Sequence, residues 1–153
     1  MTESVIERQS DRVYKENDPE LPAELRNLLV RVMSKHLEMG QGAHTGLAAI
    51  VAEELDADWS KVRVETAPVA PAYNHPILQT QMVVGSLTLR GYWMAARTAG
   101  AQARRVLIDA MAVRWGVPVE ELTTGPSTVI HAASNRRISY GDLRRASNRL
   151  ANA

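Results

Sequence analysis

The sequence contains no cysteine among its 153 residues. This absence excludes disulfides, a thiolate nucleophile, an iron–sulfur cluster and a thiolate zinc site from the chain itself. Any redox chemistry would therefore have to be carried by a bound cofactor, with the protein supplying binding and orientation.

A large net charge and a long apolar run are also missing. The formal charge is +1 at pH 7, which creates no overall field that would attract nucleic acid or an anionic membrane. No apolar run approaches the ~18 residues of a membrane-spanning helix. We therefore expect no nucleic-acid partner and no membrane insertion, and the polar N-terminal segment predicts a cytoplasmic protein.

What is present is the composition of one globular domain. Hydrophobic residues make up 45% and charged residues 23% of the chain, and a chain of this length can bury a core without disulfides. Residues 1–22 are polar, with Pro19 and Pro22 near their end, and they predict a tail or a peripheral helix. Residues 23–153 predict a single domain without internal repeats or low-complexity segments.

The spacing of apolar residues predicts alternating strands and helices. The first segment fits a helix as well as a strand, but its valines and the glycines after it favour a strand. Strands are expected at Leu28 to His36, Lys61 to Thr66, Ser127 to His131 and Arg137 to Ile138. Helices are expected from the capping residue Thr45 to about Leu55, from about Leu87 to Trp115, and from Tyr140 to about Asn152. The expected fold class is α+β, with a small mixed sheet packed against the long helix.

Four local sequence signals support these boundaries. Gly116 is suited to end the long helix, and Ser139 with Asp142 resembles a capping box that opens the last one. Residues 118–122 can form one short helical turn, and residues 133–136 a hairpin turn.

Two short glycine turns each precede a helix. Gly40-Gln41-Gly42 follows the first strand, and Gly85-Ser86 precedes the long helix. Glycine allows a ligand to approach the backbone closely, and a helix N-terminus directs free N–H groups towards an electron-rich group. An ordinary tight connection is the alternative interpretation of each turn. The proline-containing loop from Ala67 to Thr80 joins the two regions, which favours their convergence on one elongated, phosphate-bearing ligand.

Other polar side chains give weaker indications. The four histidines lack the spacing of a metal site, and Ser86 and Ser127 lack an identifiable base for acyl transfer. We expect Glu38 to be solvated or bonded to the backbone, and His44 to have a surface or capping role. Solvated carboxylates are expected at Glu53 and Glu54.

A basic C-terminal face contains Arg136, Arg137, Arg144, Arg145 and Arg149. No aromatic residues are interleaved with these arginines, although base stacking is a main contact of proteins that bind single-stranded nucleic acid. RNA binding is therefore disfavoured, and solvated arginines are the expected arrangement.

Several segments together carry a resemblance to a known family. They are Glu38-Met39-Gly40-Gln41-Gly42, Ile50 to Trp59, Gly85-Ser86, Ala99-Gly100-Ala101, Trp115-Gly116-Val117 and Ser139-Tyr140-Gly141-Asp142-Leu143. Over about residues 30 to 150, the chain resembles the molybdenum-binding large subunit of the xanthine dehydrogenase and aldehyde oxidase family. The likeness is greatest to the bacterial isoquinoline 1-oxidoreductase β-subunit and related aldehyde dehydrogenase large subunits.

The resemblance implies a molybdopterin cofactor, often in the cytosine dinucleotide form, whose molybdenum is held by pterin sulfurs. It implies that Gly40, Gln41 and Gly42 contact the pterin and that Gly85 and Ser86 contribute a second contact. It also implies oxidative hydroxylation of aldehydes or N-heterocycles, with electrons passing to iron–sulfur clusters on a partner subunit. No catalytic residue and no metal ligand are expected in this chain.

The chain departs from the family in two respects. The family's second turn usually reads Gln-x-Thr-Gly-Gly-Ser-Thr-Ser, but here Val83 and Val84 replace a hydroxyl and a glycine. The family's large subunit is also several times longer, and the segment with its glutamate general base is missing. We therefore expect one module of a molybdenum hydroxylase, inactive alone and completed by other large-subunit segments and an iron–sulfur subunit. The alternative is an inactive fragment or a cofactor-free interaction module, such as a homo-oligomer joined through the small residues of its long helix.

Overall fold

The computed structural model describes residues 30–75 and 77–143. The tail predicted for residues 1–22 lies outside these ranges, as do residues 28 and 29 of the first predicted strand. The last helix begins at residue 140 and is described as far as residue 143.

The first half of the described chain is a strand–helix–strand unit. Strand β1 (Val30–Ser34) and strand β2 (Val62–Thr66) pair in parallel, with Val30 opposite Val62. Helix α1 (Ala43–Leu55) connects them, followed by a short 3-10 turn at Trp59–Lys61. Parallel strands require a crossover of this kind, which buries one helix face on the sheet. The buried residues of α1 are Ala43, Leu47, Ala48, Ala52 and Leu55.

A long helix, α2 (Leu87–Trp115), packs along α1. The two helices approach closely at Gly100, where a Cβ atom would lie 2.5 Å from the Val51 carbonyl oxygen and 2.8 Å from Glu54 Cβ. Only glycine permits this contact. The helix ends at Gly116, which has a left-handed φ of 64° and donates its N–H to the carbonyls of the last turn.

An antiparallel sheet follows α2. A 3-10 turn at Val119–Glu121 leads into β3 (Leu122–Gly125), β4 (Thr128–His131) and β5 (Arg136–Ser139), which pair in that order. Another 3-10 turn, Ala132–Ser134, joins the last two strands.

One hydrophobic core joins α1, α2 and the antiparallel sheet. Its buried residues are Leu55, Met111, Leu122, Val129, Tyr140 and Leu143. Polar contacts reinforce it where α1 ends. The Tyr140 hydroxyl donates to the Leu55 carbonyl at 3.0 Å, the Ser127 N–H donates to the Asp56 carbonyl at 2.8 Å, and the Thr124 hydroxyl donates to the Asp56 carboxylate at 2.7 Å.

The predicted fold class is confirmed, as are the limits of α2 and the capping box at Ser139. The strand predicted from Lys61 to Thr66 begins one residue later, at Val62, because Lys61 ends the preceding 3-10 turn. The Asp142 N–H donates to the Ser139 hydroxyl at 3.1 Å, and that hydroxyl donates to the Asp142 carboxylate at 2.6 Å. The strands form two small sheets, one parallel and one antiparallel. Strand β3 was not predicted, because its sequence Leu-Thr-Thr-Gly has little apolar alternation.

The prediction that Thr45 caps α1 is wrong. The helix begins two residues earlier, at Ala43, and Gly42 is its N-cap with a left-handed φ of 78°. The expectation of a solvated Glu54 is also wrong, because Glu54 forms an ion pair with Arg97 of α2. The first error arose because a threonine was preferred as a cap over a glycine.

Much of α2 is uncovered. Only three of its 29 residues are buried, namely Thr88, Gly100 and Met111. Exposed apolar side chains on this helix include Leu89, Trp93, Met94, Val106 and Val113. Within the described ranges, no helix has the length and apolar character needed to cross a membrane.

Candidate functional site

The first glycine turn is closed by the carboxylate of Glu38. Glu38 Oε1 accepts hydrogen bonds from the N–H groups of Gly40 at 2.8 Å and Gly42 at 3.0 Å, and Oε2 accepts one from the N–H of His44 at 2.9 Å. These backbone N–H groups hold the pKa of Glu38 below its usual range. Of the two roles expected for Glu38, solvated or bonded to the backbone, the structure has the second. Three of the N–H groups expected to bind an anion are therefore already paired.

Gln41 is also bonded within its own turn. Its side-chain oxygen accepts from the N–H of Met39 at 2.6 Å, and its side-chain nitrogen donates to the Leu37 carbonyl at 2.8 Å. Each atom keeps one further hydrogen-bonding position, because an amide oxygen has two lone pairs and the NH₂ group has two hydrogens. Gln41 can therefore contact a ligand from a fixed orientation.

The second glycine turn differs from the first in its hydrogen bonding. Gly85 and Ser86 both have left-handed φ values, 61° and 55°, and Ser86 is the N-cap of α2. In the described part of the chain, the Ser86 side chain makes no capping hydrogen bond. The N–H of Leu87, the first residue of α2, donates to the Val84 carbonyl at 3.2 Å. The next N–H groups of the first turn have no partner within the helix, so this end of α2 can still donate to a ligand.

The two turns meet at one groove of about 530 Å³. Its lining residues are Gln41, Ala43, Val83, Val84, Gly85, Ser86, Thr88, Leu89 and Arg90. This volume lies within the range of about 300–1,000 Å³ that is usual for small-molecule sites. Of the five residues predicted to bind a cofactor, Gln41, Gly85 and Ser86 line the groove, whereas Gly40 and Gly42 shape the turn beside it.

His44 links the first turn to the end of β1. Its Nε2 atom lies 2.7 Å from the carbonyl oxygen of His36, and its N–H is bonded to Glu38. The ring thus bonds to a carbonyl of the segment after β1 and not to a helix end, so these contacts do not bear out a capping role, and the expectation of a surface or capping role stays a prediction.

The remaining polar candidates lie in structural networks outside the groove. His131 is buried, with Nε2 2.8 Å from Glu121 Oε2 and Nδ1 2.6 Å from Ser134 Oγ. The buried Ser127 joins β4 to the end of α1. Among residues 30–75 and 77–143, no group of three or more histidine or acidic side chains could hold a metal ion. Of the predicted basic face, Arg144, Arg145 and Arg149 lie outside the described residues.

The sequence profile that describes the molybdopterin cofactor-binding domain matches residues 29–152. The chain belongs to this family. The match includes both turns and every residue of the groove, so the predicted resemblance is confirmed.

The chain is also similar to three curated proteins. The β-subunit of isoquinoline 1-oxidoreductase from Brevundimonas diminuta is 43% identical over 138 residues, 84% of this chain. A nicotinate dehydrogenase subunit of Pseudomonas putida is 34% identical over 115 residues, 75% of the chain. The membrane-bound aldehyde dehydrogenase [pyrroloquinoline-quinone] of Gluconacetobacter polyoxogenes is 34% identical over 106 residues, 69% of the chain.

These relatives are much longer than this protein. The aligned part covers 18%, 13% and 9% of the isoquinoline, aldehyde and nicotinate enzymes, respectively. The chain therefore corresponds to less than a fifth of each.

The groove fits the family's cofactor in its chemistry. Val83, Val84 and Leu89 give it apolar walls, which suit the faces of a flat heterocycle. Gln41 offers an amide, and Ser86 with the N-terminus of α2 offers donors. Arg90 adds a cationic side chain to the lining, and a guanidinium group suits a phosphate.

Sequence reasoning missed part of this site. Leu89 and Arg90 belong to the first turn of α2, where the sequence pattern indicates only a helix. Ala43 also lines the groove because α1 begins earlier than predicted. A search for residues within one helical turn of each glycine pair would have found all three.

Proposed function

We propose that this protein forms part of the molybdopterin site of a molybdenum-containing oxidoreductase that hydroxylates aldehydes or N-heterocycles. The proposal rests on one observation in a chain of the molybdopterin cofactor-binding domain family. Two glycine turns that are at least 43 residues apart in sequence border the same groove. When bound, the cofactor supplies the redox chemistry.

The protein's own residues would bind and orient the cofactor. Gln41, fixed by its bonds to Met39 and Leu37, would contact polar atoms at the edge of the pterin. Since Glu38 already occupies the N–H groups of the first turn, we place the phosphate beside Ser86 and Arg90. A cytosine dinucleotide form would extend further from this end of the groove.

Other polypeptide segments would complete the site. We propose that further large-subunit segments cover α2, because Met94 is 63%, Val106 is 66% and Val113 is 84% exposed, and apolar surface of this kind marks interaction sites. Iron–sulfur clusters on a partner subunit would accept the electrons. A cytoplasmic location remains a prediction.

The test is metal and pterin analysis of the protein purified together with the products of its neighbouring genes. We expect close to one molybdenum per complex, and retention reduced several-fold by Gln41→Ala. Gln102→Ala is the matched control, because Gln102 is exposed on α2 and does not line the groove. Molybdenum far below one atom per complex would contradict the proposal. Unchanged retention of molybdenum in Gln41→Ala would show that Gln41 does not contact the cofactor.

A cofactor-free interaction module is the second candidate function. Val83 and Val84 line the groove where the family usually has a hydroxyl and a glycine, and the uncovered apolar face of α2 could pack against another copy. Sedimentation of the purified chain tests this function. A concentration-dependent dimer that is lost in Val106→Lys and that contains no molybdenum would favour it, whereas a monomer would exclude self-association.

A further inference from the structure

His36 is a buried histidine with an unpaired ring nitrogen. It follows β1, its exposed fraction is 6%, and within the described ranges no protein group bonds to its Nδ1 atom. Its backbone is held in place, because its carbonyl accepts from the Ser34 hydroxyl at 3.2 Å and lies 2.7 Å from His44 Nε2. Its ring packs edge-on against Tyr92 of α2, with centroids 4.6 Å apart. Most buried polar side-chain atoms have a partner, so this nitrogen requires an explanation.

A small cavity adjoins the ring. It is lined by His36, Met82 and Tyr92, among others, and its volume is about 10 Å³, close to the room that a single water molecule needs. Val84 and Thr88 line both this cavity and the large groove. The cavity thus lies directly beside the groove.

The surroundings keep the imidazole uncharged. Burial, followed by the nearby ammonium group of Lys35, holds the pKa of His36 below its usual range. A neutral imidazole has one N–H donor and one nitrogen acceptor. The Nδ1 atom therefore suits an uncharged partner such as water, an amino group or a ring N–H, and a phosphate is not the expected partner.

We propose that His36 forms a polar subsite beside the groove, where its Nδ1 atom makes a hydrogen bond with one group. In the unliganded chain that group is a water molecule, and this water bridges to the uncharged heterocycle when one occupies the groove. The second half of this inference rests on the proposed function, whereas the first half does not. Neither Gln41 nor the second turn supplies this water-mediated hydrogen bond, so His36 would contact a different edge of the ligand.

Binding of a pterin tests the subsite. The full chain is titrated with pterin-6-carboxylate, whose fluorescence reports binding, for the wild type and for His36→Asn, His36→Gln and His36→Phe. The amide of asparagine is attached to Cγ, as Nδ1 is in histidine, whereas the amide of glutamine lies one bond further, near the position of Nε2. We expect Asn to keep the affinity within about threefold and both Gln and Phe to lower it about tenfold, the loss of one hydrogen bond of about 1.4 kcal/mol.

A structural role for the ring would give a different order. If only packing against Tyr92 mattered, Phe would bind as the wild type does and Asn would lose the most affinity. That order, or equal affinity in all four proteins, overturns the subsite.

A second measurement separates this inference from the proposed function. Nuclear Overhauser contacts between water and the side chain of Thr88 or the ring of His36 are recorded for the unliganded wild type. A long-lived water contact supports the subsite even if the wild type binds no pterin, in which case the proposed function fails alone. Absence of a water contact, together with Phe being as stable to urea as the wild type, overturns the subsite.

Discussion

The two glycine turns border one groove but use their backbone N–H groups differently. In the first turn, one carboxylate accepts three of these groups, and Gln41 is tied to residues of the same turn. In the second turn, the Ser86 side chain makes no capping bond, the Leu87 N–H donates to the Val84 carbonyl at 3.2 Å, and the start of α2 lies against the groove. The comparison shows that a glycine turn before a helix does not by itself make an anion site. What decides is whether a side chain of the protein already takes the N–H groups.

The packing that holds the two turns together gives the largest expected effect. Gly100→Ala places a Cβ 2.5 Å from the Val51 carbonyl, so α1 and α2 must separate. We expect a loss of about 1–3 kcal/mol in the free energy of unfolding, measured by urea denaturation. Gly91→Ala is the control. Gly91 is exposed on α2, where a Cβ would lie 3.8 Å from Leu87, so this variant should gain about 0.5–1 kcal/mol. Equal effects at both glycines would show that the helices do not meet as described.

The second turn can be returned to the family pattern. Val83→Thr with Val84→Gly restores a hydroxyl and removes a branched side chain from the groove wall. We expect tighter retention of the cofactor by about 1 kcal/mol, roughly fivefold, if one hydrogen bond is gained. Molybdenum content of the purified complex is the measurement. Weaker retention would show that the valines make useful apolar contact with the ligand.

The order of the first turn depends on one carboxylate. Glu38→Gln should speed hydrogen exchange several-fold at the N–H groups of Gly40, Gly42 and His44, because an uncharged amide is a weaker acceptor than a carboxylate. Exchange at Gly85 should not change. Glu53→Gln is the matched control, since Glu53 is exposed near the end of α1. If both variants exchange alike, Glu38 does not hold the turn.

The same contrast should appear as a difference in pH dependence, which is the smallest effect. Glu38 has a pKa below its usual value, so its contribution to stability is complete above the unfolded pKa of about 4.3 and is lost as the pH falls through the folded pKa. The amide shifts of Gly40 and Gly42 should titrate together below that pH. The shift of Gly85 should not follow them, and Glu38→Gln should abolish the titration.

Long periodic elements were predictable from the sequence, and short polar ones were not. Helix α2 was predicted to the residue at both ends, because Gly116 and Pro118 follow a long apolar repeat. Strand β3 is held by its pairing with β4, which is a contact between segments that local propensity does not encode.

The sequence predicted where the candidate site lies, but it did not predict which of the site's polar groups are already hydrogen-bonded. The glycine pairs indicated where the chain turns, and the family resemblance indicated which ligand to consider. The pattern could not show that Glu38 would accept from three N–H groups. Nor could it show that His36 would be buried with an unpaired nitrogen, since burial there depends on Tyr92, 56 positions later by residue number.

The bonds around the end of α1 also bear on the order of folding. Leu55 and Asp56 are held by Tyr140 and Thr124, which are 85 and 68 residues away in sequence. Contacts so distant along the chain close late and slow the search for the native state. On the ribosome, α1 would emerge well before Tyr140 has been synthesised, so its final anchoring waits until the chain has been made at least as far as that residue.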